Sequence, residues 1–179
     1  SVQGAGDDGI QVWNAATATS ARISAADVIG LDEGIFVINF GTEELSISLT
    51  GDVVSTSNDT SDDDPSYGIY AVNSGTHSTI TTSGDVTSND KGIYSWNDGS
   101  GALSITSTGD VTALGADGIL ADNTDWSSGS RAASSATDII IAANNVTAYH
   151  RGIEVDNWGT GSTTITTTGQ ITGGSGQQD

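Results

Sequence analysis

Short stretches of alternating apolar and polar residues recur along the chain, each three to five residues long and bounded by Gly, Asp, Asn or Ser. Alternation over so few residues, between turn formers, predicts strands with one buried face. The stretches are organised by a repeat. The string Gly-Ile-x-x-x-Asn occurs six times, as Gly9 to Asn14, Gly34 to Asn39, Gly68 to Asn73, Gly92 to Asn97, Gly118 to Asn123 and Gly152 to Asn157. Successive glycines lie 25, 34, 24, 26 and 34 residues apart, so the unit is about 25 residues and is twice lengthened.

Two more elements recur in every unit. A β-branched run follows the Asn, centred on Ile23, Ile47, Ile80, Ile105, Ile140 and Ile165. A third follows closely, carrying Val28, Val53, Val86, Val111, Val146 and Ile171. Three strands per unit, repeated in step, predict that each turn of chain stacks on the one before, because a single unit cannot bury its own apolar face. The fold class expected is all-β: a right-handed parallel β-helix of about six coils. A helical reading fails because glycine and β-branched residues fill every unit. At ~4.8 Å per coil the rod is about 29 Å long.

The three Ile and Val columns, the first being Ile10, Ile35, Ile69, Ile93, Ile119 and Ile153, are expected to face inward. The Asn column is expected to turn a corner, with amides bonding coil to coil. The glycine before each Ile is expected to supply a backbone conformation closed to other residues. Residues 1–172 form one β-helix domain in this reading. Insertions at 55–66, holding the single proline Pro65, and at 124–136, with Trp126 and Arg131, leave the rod as surface loops. Residues 173–179, rich in Gly and Gln, read as a tail or linker.

Charge narrows the partners. The chain has 23 Asp plus Glu against 4 Lys plus Arg, a formal charge of −19. It therefore repels nucleic acid and anionic membranes, and cations are its natural counterpart. The absence of cysteine excludes a disulfide scaffold without assigning a compartment. No apolar run approaches the ~20 residues that span a bilayer, so this segment is not expected to insert directly into a membrane.

The succession Gly-Ile-Tyr-x-x-Asn, Ser-Ile-Thr, Thr-Gly-Asp-Val-Thr, best developed over Gly68–Thr87 and Gly92–Thr112 and weaker over Gly9–Thr172, resembles the passenger domains of bacterial autotransporters and related β-helical adhesins. The resemblance implies a β-helix exposed on or released from Gram-negative bacteria, exported through a C-terminal membrane barrel. It also implies a role in adhesion, aggregation or toxin display.

Candidate chemistry is sparse. Alternation turns Trp13, Phe36, Tyr70, Tyr94 and Trp96 outward over coils one to four, a candidate contact stripe for a glycan, a surface protein of a host or neighbouring cell, or another copy of the rod. Coils five and six put Leu120, Asp122, Glu154 and Asp156 there instead. The loop carboxylates Asp59, Asp62, Asp63 and Asp64 are the candidate Ca²⁺ ligands, although their spacing matches no ordered ligand loop. Asp27, Asp52, Asp85 and Asp110 recur at one point of the coil, where each is expected to bond its own turn. Outward Ser and Thr pairs such as Thr79/Thr81 and Thr164/Thr166 suggest an ice-binding array, interrupted at Arg22/Ser24 and Ile139/Ile141. His77 and His150 are the only histidines, and no catalytic grouping can be placed by spacing. The expectation is a secreted, non-catalytic adhesin or stalk segment without a required cofactor, with a glycan- or ice-binding solenoid as the alternative.

Overall fold

Each apolar element pairs in parallel with its counterpart one coil on, and the stack is a parallel β-helix with three sheets. The computed structural model describes residues 2–3, 7–57, 66–125 and 132–174. The first sheet contains Ile10–Asn14, Ile35–Asn39, Ile69–Asn73, Ile93–Asn97, Ile119–Asp125 and Ile153–Asn157. The second contains Ala21–Ala25, Leu45–Leu49, Ser78–Thr82, Leu103–Ser107, Ile139–Ala143 and Thr163–Thr167. The third contains Val28–Gly30, Val53–Ser55, Val86–Ser88, Val111–Ala113, Val146–Ala148 and Ile171–Gly173, preceded by Val2–Gln3. Parallel neighbours need a long connection. Here the other two sides of the coil provide it.

Register is kept throughout the first sheet. Ile10, Ile35, Ile69, Ile93, Ile119 and Ile153 pair in succession, as the repeat predicts. The interior members of this column are completely buried, and so are Val28, Val53, Val86 and Val146 of the third. Burying each such side chain contributes about 1.5–3 kcal/mol before entropy is counted. The columns open at coil six, where Ile165 and Ile171 have a described neighbour on one side only.

The second column departs from expectation at coil five. Ile141, not Ile140, pairs with Ile105 and points inward, while Ile140 pairs with Ser104 and is 42% exposed. Three successive isoleucines carry no alternation, and a one-residue shift reverses every side chain. The outward hydroxyl pairs are consequently interrupted by Ile140 and Ala142, and not by Ile139 and Ile141.

The repeat glycines are also needed for a different reason. None of the described glycines adopts a left-handed φ. The constraint is space: a Cβ on Gly92 would lie 2.5 Å from the carbonyl oxygen of Gly118 and 2.5 Å from Cγ1 of Val111, both one coil on. The corner is packed backbone against backbone.

The opposite corner is held by asparagine. Asn14 Nδ2 donates to Asn39 Oδ1 at 2.6 Å, Asn39 to Asn73 at 2.8 Å and Asn73 to Asn97 at 2.9 Å. Asn97 donates to Asn123 and Asn123 to Asn157, each at 3.3 Å. Asn39, Asn73, Asn97 and Asn123 are completely buried. The same amides also serve the turn, since Asn97 Nδ2 reaches the Gly101 carbonyl at 3.0 Å and Asn73 Oδ1 accepts from the Gly75 amide.

The aspartate row bonds forward along the rod and not to its own turn. Asp27 Oδ1 accepts from the Asp52 amide, Asp52 from Asp85 at 2.9 Å and Asp85 from Asp110 at 2.8 Å. Coil five replaces the acid, and the Asn144 and Asn145 side chains donate to Asp110 Oδ1. Each carboxylate thereby satisfies an amide that has no ladder partner.

Both insertions begin and end in ordered structure. Ser55, a strand residue, meets Ser66 through a buried 2.9 Å hydroxyl contact. The coil-five strand continues through Thr124 and Asp125 and pairs antiparallel with Ala132–Ala133. Trp126 and Arg131 lie outside the described residues.

Candidate functional site

Each first-sheet strand places its inward residues at odd steps from the glycine, leaving two outward columns on the far face. One is Gln11, Phe36, Tyr70, Tyr94, Leu120 and Glu154. The other is Trp13, Ile38, Val72, Trp96, Asp122 and Asp156. Five predicted stripe residues thus share one face, over four coils.

The rings pack on one another along the rod. Centroids of Trp13 and Phe36 are 5.4 Å apart and tilted by 40°, and Phe36 stacks on Tyr70 at 5.1 Å. Tyr94 meets Tyr70 edge-on at 5.4 Å. Each pair contributes about 0.5–1.5 kcal/mol beyond its buried area. Phe36, Tyr70 and Tyr94 are half-buried in consequence, while Trp13 remains 62% exposed.

Trp96 has a different position. Its indole Nε1 donates to the Thr124 carbonyl at 2.7 Å, so it anchors the start of the second insertion to the rod. The Asp98 carboxyl, in the turn beyond Asn97, is pushed above the usual carboxylate range, chiefly by burial and then by the charge of Asp125.

Sequence reasoning missed Tyr67. It occupies the position before the repeat glycine, where other coils carry Asp8, Glu33, Lys91, Asp117 and Arg151. Its ring is buried, stacks on Tyr70 at 5.3 Å and lies edge-on to Tyr94 at 5.9 Å. Lys91 Nζ sits 5.1 Å from the ring centroid, a cation–π contact, and also pairs with Asp90 at 3.6 Å. The signal in the sequence was the break in that charged column. In the same column Arg151 pairs with the buried Asp117 at 3.3 Å and also with Glu154.

Burial raises the Tyr67 phenol well above the ordinary tyrosine value, with Asp90, Tyr70, Tyr94 and Glu33 adding to it. Tyr70 is raised by burial and then by Glu33. The unfolded chain releases these protons near pH 10, while the folded rod retains them. Stability therefore falls as pH rises above about 10, by up to roughly 1.4 kcal/mol per pH unit for Tyr67 and by less for the partly exposed Tyr70. Tyr67→Phe is expected to remove one unit of that slope in urea unfolding measured across the alkaline range, leaving the part owed to Tyr70.

Asp59, Asp62, Asp63 and Asp64 lie outside the described residues. Among the described residues no group of three or more His, Asp or Glu side chains is placed to hold a metal ion. His77 Nδ1 accepts from the Ala102 amide at 3.2 Å, and His150 packs on Tyr149 at another corner. No helix among the described residues is long and apolar enough to cross a membrane. Comparison of the chain with protein-family models, curated proteins and solved structures returns no match.

Proposed function

We propose that this chain is a non-catalytic segment of an extracellular bacterial surface β-helix, an adhesive stalk that meets its partner through the first-sheet face. The observation that carries the reading is the confinement of Trp13, Phe36, Tyr70, Tyr94 and Trp96 to one of three faces. The second sheet turns out mostly Ser and Thr on its strands, such as Ser46, Thr79, Ser104 and Thr164. A row of rings packed on one another suits a protein surface, which offers carbonyls and further rings to it. The repeat's resemblance to autotransporter passengers supports the surface location. The net charge of −19 disfavours nucleic acid as partner.

The variant that tests this is Trp13→Ser, Phe36→Ser. Tyr94 and Trp96 are avoided because Tyr94 packs on Tyr67 and Trp96 anchors the second insertion. With the chain displayed on bacteria, the double variant is expected to lower adhesion to cultured cells and cell–cell aggregation at least tenfold, while still unfolding cooperatively at a melting temperature lowered by the loss of two ring contacts. Undiminished adhesion and aggregation would refute the assignment of the contact to this face.

A further inference from the structure

The second sheet carries a recess that the aromatic face does not explain. Its outward positions hold Ser46 and Ser48, Thr79 and Thr81, Ser104 and Thr106, and Thr164 and Thr166, but coil five substitutes Ile140 and Ala142. Ala142 pairs with Thr106 on one side and Thr166 on the other. The missing side chain leaves an open hollow of about 230 Å³ over Ala142, with Thr106 and Thr108 on one rim and Thr166 and Thr168 on the other. Asn144 closes one end. Ile140, 42% exposed, lies two residues along the same strand and on the same face.

Several of these polar groups are already engaged. Thr108 Oγ1 donates to the Thr82 carbonyl, Asn144 Nδ2 to Asp110 and Thr168 Oγ1 to Asn144 Oδ1. The hydroxyls of Thr106 and Thr166 make no hydrogen bond among the described residues. They flank an apolar floor, two strand spacings or about 9.6 Å from each other. Each can both donate and accept. The hollow is smaller than the roughly 300–1,000 Å³ of sites for drug-sized ligands, so it suits a single ring.

We infer that this hollow is a subsite for one pyranose unit of a neutral sugar. The C–H face of the ring rests on Ala142 beside Ile140, and hydroxyls at opposite edges bond Thr106 and Thr166. Neither contact needs a charged group, and the acidic chain disfavours anionic sugars. With so few contacts the affinity is weak, in the millimolar range. The site lies on a different sheet from the aromatic columns. It therefore stands or falls on different variants from the adhesive reading.

The test is titration of the labelled chain with the methyl pyranosides of glucose, galactose and mannose, followed by amide chemical shifts. At least one sugar is expected to move Thr106, Ala142, Asn144 and Thr166 together with a saturating curve. Ala142→Thr is expected to abolish that titration by filling the hollow with the residue that coils three, four and six carry there. Should that variant unfold, Thr106→Val is expected to weaken binding by about fivefold, the worth of one hydroxyl hydrogen bond. Absence of shifts with all three sugars overturns the proposal. So does a titration unchanged in the folded variants, or one confined to the first-sheet rings.

Discussion

Asn97→Ala is expected to lower the stability of the rod by about 4 kcal/mol in equilibrium urea unfolding. The change removes an amide that accepts from Asn73 and donates to both Gly101 and Asn123, all without access to water. Three buried polar groups lose a partner at once, at roughly 1–3 kcal/mol each, and partial relaxation recovers some of that sum. Asn14→Ala is the comparison. Asn14 is half-buried and bonds a single neighbour, Asn39, so its loss is expected to cost about 1 kcal/mol. Equal losses at the two positions would mean that the turn, not the amide ladder, needs asparagine.

Gly92→Ala is expected to cost about 3 kcal/mol or more, because one of the two atoms met by the new Cβ is a backbone oxygen of the next coil. Two adjacent strands cannot separate at this point without lengthening ladder bonds on both sides. The double variant Gly92→Ala, Val111→Ala separates crowding from conformation. Removing the Val111 methyls clears one of the two collisions, so the double variant is expected to be less destabilised than the sum of the single changes. Strict additivity would sink the crowding explanation.

The architecture could be read from the residues because one marker, Gly-Ile-x-x-x-Asn, aligns all six coils and sets the frame of every neighbouring strand. Where the marker's neighbours lose alternation, as in Ile139-Ile140-Ile141, the frame is decided by pairing with Leu103 and Ile105 and is not written locally. The glycine column shows a second limit. A requirement for positive φ and a requirement for empty space select the same residue, and only the distance between coils distinguishes them. The aspartate row shows a third. A carboxylate after a turn can bond its own amide or the next coil's, and the choice depends on the offset between stacked corners. At the aromatic face, alternation identified every outward ring on a strand. Tyr67 was missed because it stands at a corner, where alternation says nothing.

The pairing Asn39 to Asn73 spans 34 residues and the pairing Asn73 to Asn97 spans 24, yet both keep the same strand register. Position in the stack is therefore uncoupled from length of chain. Ser55 and Ser66, at the two ends of the 55–66 insertion, meet in one buried contact. That closed junction makes the rod a natural host for grafting: a foreign peptide spliced between Ser57 and Ser66 is expected to leave every column in its place.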